Sequence, residues 1–252
     1  MKRLPRRLAH GEEAVLVDHL GELRTRIFVA GGAVLAATIV AYTVHHRILA
    51  VLVQALPPKN RELATFGVVE PFTTSIKVSL VAGLLLALPI VLWQLWAFVA
   101  PALDPSTERS IVGFTAFAAV LLFVGVIFGD RVALPAALKF LTNYDNSIYH
   151  VQVRASDYIS FAVLVLAACG AVFELPIVVL GLVRVRALSS AKLRRNRRIG
   201  YMLVAVIAVA LPGVDPVTTT IEMVPLLAVY EASIWLSVFF ERRWHAPSPV
   251  AT

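Results

Sequence analysis

The stretch Asp18-His19-Leu20-Gly21-Glu22-Leu23-Arg24-Thr25-Arg26 runs directly into an apolar segment that begins at Ile27. Helical spacing stacks Asp18, Glu22 and Arg26 on one face and places Val17, Leu20, Leu23 and Ile27 on another. That polar face puts a carboxylate, Glu22, at the surface of a bilayer. Its plainest use is internal: Glu22 pairs with Arg26 one turn away, and the arginines hold this end on the basic side of a membrane. A second carboxylate, Glu108, closes the stretch Trp96-Ala97-Phe98-Val99-Ala100-Pro101-Ala102-Leu103-Asp104-Pro105-Ser106-Thr107-Glu108-Arg109. Its aromatic start and proline turns predict a rigid loop on the same side as Glu22, although aromatics here also serve as an ordinary interfacial belt.

A third carboxylate, Glu174, lies in Phe173-Glu174-Leu175-Pro176, ten residues before Arg184. That is about 15 Å by helical rise, near the midplane of a bilayer. An unpaired charge there costs at least ~2.5 kcal/mol, so the group must be protonated, paired or turned toward a watered cavity. Pro176 removes the hydrogen bond to the Val172 carbonyl and predicts a kink beside it. Glu231 raises the same question nearer the basic side. Catalysis is not expected: the chain has no GxxxxGK[ST], HExxH or GxSxG pattern, and its histidines lie outside the apolar runs.

These residues need helices that cross a membrane to position them. With 59% hydrophobic and 15% charged residues and a mean hydropathy of +0.80, the chain reads as an all-α integral membrane protein. The six apolar runs are Ile27–Val44, Ile76–Val99 with Pro89 inside, Ile111–Gly129, Tyr158–Val183, Ile199–Leu211 and Val217–Phe240. The fifth is short for the ~30 Å hydrocarbon core. Counting it as a span puts sixteen Lys and Arg residues in the loops and termini of one side and six on the other. The positive-inside rule then makes both termini cytoplasmic. The expected layout is one membrane domain over residues 1–241, with a cytoplasmic collar at 1–26 and a disordered cytoplasmic tail at 242–252.

The net charge of +7 is spread between apolar runs, which fits orientation rather than nucleic-acid binding. Cys169 is the single cysteine, so no disulfide, metal pair or cofactor site is expected, and no cleaved signal peptide is visible at the N-terminus. A short fifth span invites cover by an equally short helix. Met202, Val206 and Met223, beside the turn that holds Asp215, mark that edge.

Four patterns together resemble the TatC family, the core subunit of the twin-arginine protein translocase. They are His19-Leu20-x-Glu22-Leu23-Arg24-x-Arg26, Trp96-Ala97-Phe98-x-x-Pro101-Ala102-Leu103 followed by Glu108-Arg109, Phe173-Glu174-x-Pro176, and Asp215 between two short spans. The resemblance implies six spans in the cell (cytoplasmic) membrane and a receptor for the paired arginines of a signal peptide. Glu22 and Glu108 would bind those arginines, with Phe98, His19, Arg24 and Arg26 around them. It further implies export of folded proteins driven by the proton-motive force, in an oligomeric complex with small single-span TatA/TatB-type subunits that dock near spans five and six. Departures exist: Pro212-Gly213-Val214 and Thr219 stand where the family often has Thr-Pro-Pro and glutamine. The competing class is a proton-coupled secondary transporter with Glu174 as the proton site.

Overall fold

The computed structural model describes residues 10–99, 108–145, 147–148, 151–184, 187–210 and 216–244, the side chains of 10–19, 99, 108–111, 218 and 242–244 apart. Within them the chain forms α1 (His10–Thr43), α2 (His45–Gln54), α3 (Glu70–Val99), α4 (Glu108–Phe128), α5 (Leu134–Asn143), α6 (Ala155–Phe173), α7 (Leu175–Arg184), α8 (Ser190–Arg195), α9 (Arg197–Ala210) and α10 (Pro216–Trp244). Helix is the form in which an apolar segment satisfies its own backbone within lipid. Among the described residues, five helical segments are long and apolar enough to cross a membrane: Leu20–Thr43, Glu70–Phe98, Val112–Asn143, Ala155–Arg184 and Thr219–Glu241.

The segment α6–α7 is the most enclosed of these and forms the centre of the molecule. One half of the core gathers Leu52 and Leu56 with Val78, Leu134, Leu138, Ile159, Val163 and Cys169. The other joins Val172 to Val204, Leu226, Tyr230 and Ile234, tying α9 and α10 to α6. α1 packs mainly on α3, and its outward residues Leu20, Ile27, Phe28 and Leu35 are exposed. An apolar outer face is what lipid solvates.

Three sequence expectations are corrected. The third span does not end at Gly129: a π-helical turn over Gly129–Ala133 carries α4 straight into α5. The charges Asp130 and Arg131 suggested a loop, but they pair at 3.1 Å with the arginine exposed, and the wider turn lets Pro135 sit in the first turn of α5, where its missing N–H costs nothing. The sixth span is not short, since α10 has 29 residues and continues to Trp244 past Pro225. The expected first outer loop contains α2, whose Leu52 is core. α9, by contrast, is short as expected: its 14 residues rise about 21 Å.

Candidate functional site

The collar is built by the α1–α3 pair. Arg26 donates to Glu22 through Nε at 2.9 Å and Nη2 at 2.5 Å, and through Nη1 to Gln94 Oε1 at 3.3 Å. Further along the pair, Gly83 meets Thr38 so closely that a Cβ on it would lie 2.5 Å from Thr38 Cα. Only glycine allows that approach. From Arg26 to Thr38 is twelve residues up α1, and from Gln94 to Gly83 eleven down α3, so the helices run antiparallel in step. Glu22, one turn below Arg26, therefore falls level with Phe98, one turn beyond Gln94.

Glu22, Arg26 and Phe98 are half-buried and Arg24 is exposed, its guanidinium lying 5.7 Å from the Phe28 ring centre. The polar face of α1 thus looks toward α3 and its apolar face looks out. Glu108 is the first residue of α4; its side chain and that of His19 lie outside the described residues. So does Asp215. Trp96, stacked on Phe114 at 5.7 Å, fastens this end of α3 to α4. Gln94 was not singled out in the sequence, where its only signal is a lone amide within an apolar run.

Glu174 sits at the break between α6 and α7. Its amide bonds back to the Ala171 carbonyl at 3.2 Å, and its own carbonyl accepts from Ile177 and Val178 at 3.0 and 3.1 Å. The helix is interrupted there, two residues before Pro176. The side chain is 6% exposed, and neither carboxylate oxygen accepts a hydrogen bond from a described residue. Phe173 beside it stacks on Phe128 at 5.6 Å, and Gly125 admits Phe173 where a Cβ would come within 2.8 Å. A second buried carboxylate escaped notice: Glu222, 2% exposed, lies on the packed stripe of α10 with Leu226, Tyr230 and Ile234.

Glu231 is held by two partners from α9, the Tyr201 hydroxyl and Arg197 Nη2, the latter at 3.3 Å. It closes one end of a groove of about 580 Å³ lined by Tyr201, Met202, Ala205, Met223, Leu227 and Ala228. Met202 and Val206 are 60% and 61% exposed, and Met223 is half-buried. The structure therefore brings the three edge residues to one flank of α9 and α10.

At the other end of the molecule a buried carboxylate organises the loops. Glu70 accepts from the Phe66 and Ser156 amides, both at 3.0 Å, and from Arg154 Nε and Nη2 at 3.1 and 3.2 Å. The hydrogen bond to Glu70 pushes the Arg154 pKa further up. A parallel bridge between Ala64 and Arg154 joins the same segments. Eighty-four residues separate the pair, so no local pattern announces it.

Comparisons with known proteins agree with this fold. The family model described as Sec-independent protein translocase protein (TatC) matches residues 18–225. The chain is 34% identical over 227 residues to the Sec-independent protein translocase protein TatC of Carboxydothermus hydrogenoformans, covering 90% of this chain and 93% of that one. It is 34% identical over 251 residues to TatC of Deinococcus radiodurans, covering 95% and 90%. A crystal structure of the twin arginine translocase receptor TatC in DDM superposes with a TM-score of 0.77 at 30% identity, covering 87% of this chain and 99% of that one. Matching sequence, helix order and membrane-spanning composition lead to one conclusion: the chain belongs to the TatC family, multi-pass membrane components of the Sec-independent, twin-arginine protein translocase.

Proposed function

We propose that this chain is the receptor subunit of its translocase and binds the paired arginines of a signal peptide at the cytoplasmic face. The observation that carries this reading is Glu22. It is half-buried, level with Phe98 at one end of the α1–α3 pair, and already grips a guanidinium through two nitrogens. Glu108, opening α4 from the adjoining loop, is the second acceptor, with Phe98, His19, Arg24 and Arg26 around the pair. Glu174 acts after peptide binding, during transport driven by the proton-motive force.

In this reading the chain spans the cell membrane six times, with α9 as the short fifth span and both termini cytoplasmic. Residues 1–241 form one domain and 242–252 a tail. TatA/TatB-type single-span subunits dock on the Met202, Val206 and Met223 flank near Asp215, within an oligomeric complex. The test is binding of a signal peptide to detergent-solubilised protein. Arg-Arg peptide binds and its Lys-Lys counterpart does not, because lysine offers no planar fork; equal binding of both overturns the reading.

A further inference from the structure

At the end of α10 opposite Glu222, a groove of about 480 Å³ is lined by Ala191, Arg194, Arg195, Arg197 and Trp235. The arginines converge because α8 and α9 meet at Asn196, whose amide bonds the Lys192 carbonyl and whose carbonyl accepts from Ile199, both at 3.0 Å. α8 is fixed to α10 in turn, since the Ser190 amide donates to Glu241 at 2.8 Å. Arg197 is committed: it pairs with Glu231 and lies 5.8 Å from the Trp235 ring centre. Arg194 and Arg195 are exposed and form no ion pair among the described residues. Trp235 is 59% exposed on a helix that spans the membrane. The groove thus combines uncommitted guanidinium groups, an aromatic shelf and a lipid-facing mouth.

We propose that this groove holds the phosphate of an anionic phospholipid in the cytoplasmic leaflet, Arg194 and Arg195 taking the oxygens and Trp235 lying against the glycerol region. Guanidinium groups suit phosphate geometry, exposed tryptophan suits the headgroup depth, and basic pockets between helices on the cytoplasmic side suit acidic lipids. Scattered positive-inside charge would require no shared pocket. Here α8 is folded and anchored so that two free arginines and a tryptophan face one volume. The choice of leaflet rests on the orientation proposed above; the binding itself does not.

The experiment titrates delipidated, detergent-solubilised protein with phosphatidylglycerol and with phosphatidylcholine of the same acyl chains, counting bound lipid by native mass spectrometry. Phosphatidylglycerol binds preferentially. R194Q/R195Q weakens it by about thirtyfold, since each basic residue at an anionic lipid surface contributes roughly a fivefold factor, and leaves phosphatidylcholine unchanged. Equal affinity of wild type and variant for phosphatidylglycerol, or no preference between the lipids, overturns the proposal. Displacement of the lipid by millimolar inorganic phosphate also overturns it, identifying a free-phosphate site instead. Should the double variant not purify as one species, single R194Q and R195Q proteins, each expected to lose about fivefold, carry the same test. Impermeant maleimide labelling of Ala191→Cys in a Cys169→Ala background from outside intact cells would reverse the orientation while leaving detergent binding intact, so the two readings fail separately.

Discussion

Arg26 of α1 holds Glu22 one turn below it and Gln94 of α3 across from it. The carboxylate proposed to take an incoming arginine is therefore oriented by an arginine of its own. A carboxylate has two oxygens and about four lone-pair sites, and both Arg26 bonds end on Oε1. In the proposed reading Arg26 steadies the Glu22 side chain while the same carboxylate takes up a peptide arginine beside it.

Removing either acceptor should cost one charge-assisted contact, about 1.5–3 kcal/mol. Glu22→Ala or Glu108→Ala should accordingly weaken Arg-Arg peptide binding roughly ten- to a hundredfold, measured by titration of purified protein. The double variant should lose more than either single one. Wild-type affinity in the double variant would refute the assignment.

Gly83→Val places branched atoms where Thr38 already stands. Overpacking of this kind costs about 1–3 kcal/mol. The helices must part or slide, which also carries Gln94 away from Arg26. The expected outcome is a lower thermal midpoint in detergent together with weaker peptide binding. If the valine variant melts and binds like wild type, the α1–α3 contact is looser than the Thr38–Gly83 approach indicates.

Glu174 lies at the helix break and away from the collar, so its effect should separate from binding. Glu174→Gln keeps the hydrogen-bonding capacity and Glu174→Leu removes it. Both should bind signal peptide normally, and the leucine variant should fail to export folded cargo. Export at the wild-type rate by Glu174→Leu would make the residue structural.

Much of this was legible because lipid imposes a simple code: an apolar run near the ~20 residues a span needs must be helix. The Glu22–Arg26 pair was legible for the same local reason, four-residue spacing. Charge misled at Asp130 and Arg131, because a polar pair reads as a loop although a π turn can carry it within a helix. Glu70 and Arg154 were invisible together: each looks like an ordinary residue at a helix start, and only the fold brings them into contact. Gln94 likewise acquires meaning only once α1 and α3 are set antiparallel. Glu222 could have been found by asking of every carboxylate in an apolar run what was asked of Glu174.

α9 falls short of the hydrocarbon thickness by roughly 10 Å, whereas α10, at 29 residues, exceeds it. With α9 as the short fifth span proposed above, the mismatch is local to α9, and a partner helix lying along its exposed face would relieve it without a large soluble interface. The groove between Met202 and Met223 gives such a helix a seat, and Glu231, held by Tyr201 and Arg197, gives it a polar end. Membrane helix contacts favour small residues and hydrogen bonds over bulk apolar area, so the partner should meet this site with a small or polar side chain. Single cysteines at Met202, Val206 and Met223, each in a Cys169→Ala background, should crosslink to a co-expressed single-span subunit. Val120 and Phe123 of α4, equally exposed but on a different helix, serve as controls. Crosslinking at α4 as strong as at α9 would move the docking edge elsewhere. Crosslinking at Met202 and Met223 that is lost on Glu231→Leu would assign the polar end of the groove to the partner as well.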